Sequence, residues 1–352
     1  MQTTWFWLLC ALWSLYFLTE GFDFGVGMLL PVLGRSEEDR RTMLQVIGPF
    51  WDGNEVWLII AGAAMFAAFP VWYATMFSGF YVALLLVLVL LIVRVVSFEW
   101  RGKAESPGWR AVWAWLNTSA AVGLPLIWGI ALSSLLQGVP VSSAQEFTGT
   151  FWDLFSPYTV VAGVAFVLLF ALHGAVLLTL RTTGDLHARA MRTAARLALP
   201  VALVGAGFLA WTLVVGIQKN DQDVFPGIVL AVLAAATAVG AVVLTHRRRE
   251  GLAFASTAAT IVLAVVLLFT ELYPRVMVSS TSSADSLTIA NASSGHYTLT
   301  VMSIVTIVLL PVILLYQAWS YHVFRARLGK SGAVANPVDL LAPRRVEPAD
   351  DA

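Results

Sequence analysis

Nine stretches of about twenty or more mostly apolar residues recur along the chain, at 5–33, 47–69, 72–97, 111–136, 157–181, 197–217, 225–245, 252–273 and 297–325. About twenty residues of α-helix cross a bilayer core about 30 Å thick, so each stretch is long enough to span it. The pattern predicts an all-α integral membrane protein of about nine transmembrane helices, in one polytopic domain over 1–330. The polar intervals are of two kinds. Those at 137–156 and 274–296 are rich in Ser, Thr, Asn and Gly and read as loops. Those near 34–46, 98–110, 182–196 and 246–251 carry most of the basic residues. The tail 331–352 holds Pro337, Pro343 and Pro348, ends in Asp350-Asp351-Ala352, and is predicted to be disordered. Met1–Thr4 lacks the basic residues that open a signal peptide, and no small-residue cleavage site follows, so the first stretch reads as a retained span. No internal repeat stands out.

Composition and charge sharpen this picture. Of 352 residues, 59% are hydrophobic and 12% charged, about half the charge of a soluble domain. A soluble globular enzyme is excluded. Lys plus Arg and Asp plus Glu are 21 each, so no net basic field is available for nucleic acid. The single cysteine, Cys10, removes disulfide frameworks, cysteine-based zinc sites, iron–sulfur clusters and the C-x-x-C-H haem attachment signature. With the N-terminus outside, 18 of the 21 basic residues fall on the cytoplasmic side, 2 (Lys219 and Arg275) outside, and Arg94 within a span. That asymmetry predicts an outside N-terminus and a cytoplasmic C-terminus, and supports nine spans, because a missed helix would scramble every later loop.

Five ionisable residues lie inside the spans: Glu20 and Asp23 in the first, Asp52 and Glu55 in the second, and Arg94 in the third, with Glu99 and Arg101 just beyond. A central charge costs about 2.5–3.5 kcal/mol on the insertion scale, so the five cost at most about 12–17 kcal/mol. Their depths coincide. Asp23 lies about 27 Å along its helix from Trp5, Asp52 and Glu55 about 8 and 12 Å inward from Ile47, and Arg94 about 33 Å from Trp72, all towards the cytoplasmic end. Glu20/Asp23 and Asp52/Glu55 are each spaced i,i+3 and share a helix face. Gly21 and Gly25 form a small-xxx-small pair that lets another helix approach closely. The set describes a carboxylate cluster with one guanidinium, open towards the cytoplasm. It suits a proton relay, and equally an ion-pair knot that holds three helices together.

Other positions point less far. His173 is the one histidine well inside a span and reads as a hydrogen-bonded packing residue rather than a haem ligand. His187, His246, His296 and His322 fall in loops or at helix ends. Gly25-x-Gly27 lacks the third glycine and preceding strand of a dinucleotide site. The 14 tryptophans suit interfacial belts and packing. Arg247, Arg248 and Arg249 read as a topology anchor, with an anionic lipid contact as the alternative.

The residues of the charge cluster also carry a family resemblance. Thr19-Glu20-Gly21-Phe22-Asp23-Phe24-Gly25-Val26-Gly27-Met28-Leu29 and Gly48-Pro49-Phe50-Trp51-Asp52-Gly53-Asn54-Glu55-Val56-Trp57-Leu58 resemble the signatures of the first two helices of subunit II of cytochrome bd-type quinol oxidases. Shorter matches follow in order: Phe77-Ser78-Gly79-Phe80-Tyr81, Leu136-Gln137-Gly138-Val139-Pro140, Gly184-Asp185-Leu186-His187, and Leu310-Pro311-Val312-Ile313-Leu314-Leu315-Tyr316. The resemblance runs from about residue 15 to about 325, and its two long motifs are together highly specific.

The resemblance implies a subunit of a terminal respiratory oxidase of the bacterial cytoplasmic membrane, which passes electrons from quinol to dioxygen and makes water. It implies that this chain is a scaffold without haem or metal, and that two b-type haems, one d-type haem and the quinol oxidation site belong to a partner, subunit I. One intramembrane histidine agrees with that division. It leaves room for a small single-helix subunit and for a structural quinone or lipid between the helices. By the same resemblance, Asp52 is the leading acid of a cytoplasmic proton route towards the partner's haems. Asp23 and Arg94 are its neighbours, Glu20 keeps a carboxylate where relatives often have Asp, and Glu55, which is Gln in some relatives, ranks below Asp52. Asn54, Trp57 and Glu99 are the supporting polar positions. Dioxygen reduction consumes one proton per electron, so protons drawn from the cytoplasm separate charge without a pump. Two other readings stand beside this one: a proton-coupled secondary transporter, against which no inverted repeat or paired broken helices appear, and a purely structural subunit.

Overall fold

Helix α1 (Gln2–Leu33) is the axis around which the chain is assembled, buried along most of its 32 residues. The computed structural model describes residues 1–104, 106–219 and 223–329; the expected tail, 331–352, lies outside them. After α1 come α2 (Glu37–Ile47), α3 (Trp51–Ala68), α4 (Pro70–Gly79), α5 (Tyr81–Trp100), α6 (Pro107–Gln137), α7 (Pro157–Arg181), α8 (Gly184–Lys219), α9 (Phe225–His246), α10 (Glu250–Leu272) and α11 (His296–Val323). Helices α3, α6, α7 and α10 pack round α1, while α8 and α9 extend the bundle beyond α7 and α10, and α11 leans on α3.

Among the described residues, eight single helices are long and apolar enough to cross a membrane, and α3 with its bent continuation α4 brings the number to nine. Glycine sets how closely the central helices meet. A Cβ on Gly25 would come within 2.0 Å of the Phe170 carbonyl oxygen, and one on Gly174 within 2.4 Å of the Gly25 backbone, so α1 and α7 touch main chain to main chain. The small-residue pair Gly21/Gly25 has the role expected of it. Gly129 and Gly163 repeat the device between α6 and α7.

Three boundaries differ from the sequence expectation. The third stretch, expected at 72–97, is broken at Phe80 into α4 and α5. Pro70 opens α4, at 120° to α3, and Gly79 closes it against the Phe147 ring. Arg94 therefore lies about 20 Å from the start of its own helix α5 rather than about 33 Å. The interval 182–196 is not a loop but the first turns of α8, opened by Gly184 at φ +66°; its Ala, Arg and Leu residues are strong helix formers whose charge masks the helix from a hydropathy reading. The interval 34–46 contains α2, started by a capping box in which Ser36 accepts from the Asp39 N–H and Asp39 accepts from the Ser36 N–H.

The basic intervals gather at one end of the bundle. At the other, 137–156 and 274–296 pack down as a lid. Strand β1 (Arg275–Met277) pairs antiparallel with β2 (Leu287–Thr288), Val139 bridges to Ser279, and Val276, Met277 and Val278 are buried.

Candidate functional site around Arg94

The Arg94 guanidinium draws three helices together. Its Nη1 donates to Glu20 Oε2 at 2.8 Å and to Glu55 Oε1 at 2.8 Å, and Nη2 lies 3.9 Å from Asp23 Oδ2. Its carbon lies over two aromatic faces, 4.8 Å from the Phe24 ring centroid and 5.4 Å from that of Phe98. The Glu20, Asp23 and Arg94 side chains are fully buried, while Glu55 keeps 20% exposure. The i,i+3 spacing of Glu20 and Asp23 puts both on the face of α1 turned to α3 and α5. A pair this deep persists only when charge and hydrogen bonds compensate its desolvation.

Asn54 extends the cluster sideways. Its Nδ2 donates to Asp23 Oδ2 at 2.7 Å, and its Oδ1 accepts from Tyr321 Oη at 2.7 Å and from Gln317 Nε2 at 3.1 Å. Trp57 Nε1 donates to Gln317 Oε1 at 2.7 Å, and Tyr321 stacks flat on Phe50. One amide thus ties α1 and α3 to α11. Not every group is closed off: Glu20 Oε1, Asp23 Oδ1 and Arg94 Nε and Nη2 are buried without a hydrogen-bond partner among the described residues.

Of the residues singled out from sequence, the structure brings together Glu20, Asp23, Glu55, Arg94, Asn54 and Trp57. It leaves Asp52 and Glu99 exposed on the surface of this chain. Asp52 is in the first turn of α3, one turn before Glu55, and stays exposed. Gln317 and Tyr321 went unnoticed; their signal is a polar i,i+4 pair in an otherwise apolar helix. Glu271 was also missed. It is buried at the lid end of α10, where a Cβ on Gly216 or Gly227 would come within 1.8 Å of its carboxyl oxygens. His173 is fully engaged in packing: Nδ1 meets Thr257 Oγ1 at 2.7 Å, Nε2 meets the Leu18 carbonyl at 3.3 Å, and the ring stacks on Phe254.

Ion pairs brace the basic end below the cluster. Arg101 forks onto Glu37 at 2.6 and 2.7 Å, and Arg189 pairs with Asp39 at 2.6 Å while its Nε donates to the Leu33 carbonyl. Burial alone would raise the Asp39 carboxyl, but the Arg189 guanidinium and the Ser36 N–H outweigh it and hold it below the usual aspartate value. Glu250 takes both His187, at 3.2 Å, and Arg327, at 2.5 Å.

Comparison with known proteins decides the family. The family model described as cytochrome bd terminal oxidase subunit II matches residues 1–324. The chain belongs to that family. It is 41% identical over 333 residues to a Bacillus subtilis protein named cytochrome bd ubiquinol oxidase subunit 2, covering 93% of this chain and 97% of the relative. It is 37% identical over 368 residues to the Escherichia coli K12 cytochrome bd-I ubiquinol oxidase subunit 2, covering 95% and 97%. Among solved structures, a chain of the bd oxidase from Geobacillus thermodenitrificans superposes with a TM-score of 0.70 at 18% identity, over 91% of this chain and 96% of that one, and shows the same fold. As a bd oxidase subunit II, the chain is a multi-pass membrane component of an oxidoreductase complex that includes a partner oxidase subunit. This membership sets aside the transporter reading.

Proposed function

We propose that this chain is the haem-free subunit of a quinol:dioxygen oxidase, that it scaffolds a haem-bearing subunit I, and that its Arg94 cluster carries protons from the cytoplasm towards the partner. The observation that carries the proposal is the burial of three carboxyl groups round one guanidinium, in the half of the bundle nearer the basic end. Ionisable groups at membrane depth are costly and mark proton or ion pathways by default. The basic end is taken as cytoplasmic from its charge, which puts the N-terminus outside. Glu55, partly exposed, and Asp52, exposed beside it, offer the exit from the buried Glu20–Asp23 pair to the surface of α3. A small single-helix subunit and a structural quinone or lipid are compatible with the exposed apolar helices.

The one histidine deep within a span is engaged in packing, which favours a reading in which the two b-type haems and the d-type haem belong to the partner. Both ring nitrogens of His173 are already bonded. His187, His246, His296 and His322 lie at helix ends.

The test is Asp23→Asn and Asp52→Asn in the assembled oxidase. Quinol-driven oxygen uptake is expected to fall about 10- to 100-fold with the haem spectrum unchanged, as for loss of a proton-transfer group. Normal turnover in both variants would leave the second reading, an ion-pair knot. That reading is favoured by Arg94 Nη1 bridging Glu20 of α1 and Glu55 of α3 from α5.

A further inference from the structure

On α6, Asn117 is 1% exposed, yet neither its Oδ1 nor its Nδ2 has a hydrogen-bond partner among the described residues. Its amide lies against Gly27 of α1: a Cβ there would be 3.5 Å from Oδ1 and 3.6 Å from Nδ2. The next residue, Thr118, donates to the Gly27 carbonyl at 3.0 Å, which fixes the register of the two helices at this level. Farther along, Tyr16 of α1 faces Trp128 of α6, with ring centroids 6.0 Å apart. From Gly27 to Tyr16 and from Asn117 to Trp128 is the same number of residues, so the antiparallel helices stay in step over about 16 Å.

Further orphaned polar atoms lie on α1, on α6 and on the neighbouring α5. Trp113 Nε1 is one turn nearer the basic end than Asn117. Asp23 Oδ1 is one turn, about 6 Å, deeper than Gly27, and Arg94 Nε and Nη2 and Glu20 Oε1 lie in the cluster beyond it, all buried and without hydrogen-bond partners among the described residues. Buried polar side-chain atoms are nearly always bonded to protein or to ordered water. A site with several convergent polar groups is the kind that holds water. The 3.9 Å gap between Arg94 Nη2 and Asp23 Oδ2 suits a bridging water better than a direct bond.

We propose that Asn117 anchors ordered water between α1 and α6, on the basic-end side of Asp23, and that this water leads protons in to Asp23, with the Asp52–Glu55 side as the exit. Asn117 is then a positioning residue, holding the water and exchanging no proton itself. This rests on the proton-pathway reading above.

The first measurement is a density map of the assembled oxidase at a resolution that shows water. Peaks within hydrogen-bond distance of Asn117 Oδ1 or Nδ2, continuing to Asp23 Oδ1, are expected; an Asn117 amide bonded only to protein atoms would overturn the proposal. The second compares Asn117→Leu with Asn117→Ser. Leu keeps the volume and removes the anchor, so oxygen uptake should fall about tenfold, the effect of one lost hydrogen bond in the limiting step, with a larger solvent deuterium isotope effect. Ser leaves room for water and should stay within about twofold of the parent. A packing role gives the opposite order, with Ser the worse, and sinks the idea. Normal turnover for Asn117→Leu beside slow Asp23→Asn refutes the Asn117 entry alone, whereas normal turnover for Asp23→Asn refutes the pathway on which it rests.

Discussion

At the scale of residues, the cluster depends on one neutral side chain as much as on its charges. Asn54 gives its short amide N–H bond to Asp23, with the Thr19 carbonyl at 3.5 Å, and takes two donors from α11, Gln317 and Tyr321. Replacing it by Leu, of similar size, strips Asp23 Oδ2 of its donor and leaves two donors without an acceptor. Each buried group left unpaired costs about 1–3 kcal/mol. Asn54→Leu should therefore lower the thermal stability of the complex by several degrees and release α11 first, seen as faster hydrogen exchange over 317–321. Tyr321→Phe removes only one of the donors and should cost less than half as much. The double variant should then lose less than the two singles combined, because the pair shares one oxygen. Equal and fully additive losses would mean that Asn54 is not the joint between α3 and α11.

At the scale of elements, what can be read from the sequence depends on whether a feature is continuous along the chain. Apolar length located the eight single spanning helices and the bent α3–α4 pair, though not the break between α4 and α5, and i,i+3 carboxylates within an apolar run pointed to the cluster, because burial of charge is itself the anomaly. The helical start of α8 stayed hidden because Arg189, Arg192 and Arg196 lower its hydropathy while leaving its helix propensity intact. The α4–α5 break depends on Gly79 meeting Phe147, a contact between distant segments. The same holds for Asn54 with Tyr321, and for the exposure of Asp52, which depends on how α3 packs. Helix α2 shows how such a local element is fixed. Its Asp39 caps the first turn and pairs with Arg189 of α8, and its carboxyl is held below the ordinary value of 3.8. A lowered folded-state value means the contribution is complete above the unfolded value and is lost as pH falls through the folded one. Protection of the α2 amides, measured against the intrinsic exchange rate, should therefore fall as the pH drops below about 4, and Asp39→Asn should show the weaker protection already at pH 5. The Arg101–Glu37 pair braces the same helix, so Glu37→Gln is the control, in which the acid step attributable to Asp39 should persist.

At the scale of the whole molecule, the exposed apolar surface is uneven in what it can face. On α8 and α9 the exposed residues, such as Leu203 and Val232, are apolar and suit lipid. The α3 side is apolar too, with Ile59 70% exposed and α11 beside it showing Ile307 and Leu315, but it also carries exposed Asp52 and partly exposed Glu55. A carboxylate turned to lipid within the bilayer costs about 2.5–3.5 kcal/mol near the centre and less towards the interface. A protein partner with polar groups at that level removes the cost. The oxidase partner is therefore expected on the face of α3 and α11, next to the open edge of the Arg94 cluster. Ile59→Trp, which overfills a protein interface but is tolerated by lipid, should weaken assembly by about tenfold, in line with an overpacking cost of about 1–3 kcal/mol. The measurement is the haem recovered per copy of this chain after purification in mild detergent. Leu203→Trp, 65% exposed on α8, should leave that ratio unchanged. If the two variants lose haem equally, the partner does not sit on α3, and the proposed route from Asp23 past Glu55 to Asp52 fails with it, because a path that opens onto lipid has nowhere to deliver a proton.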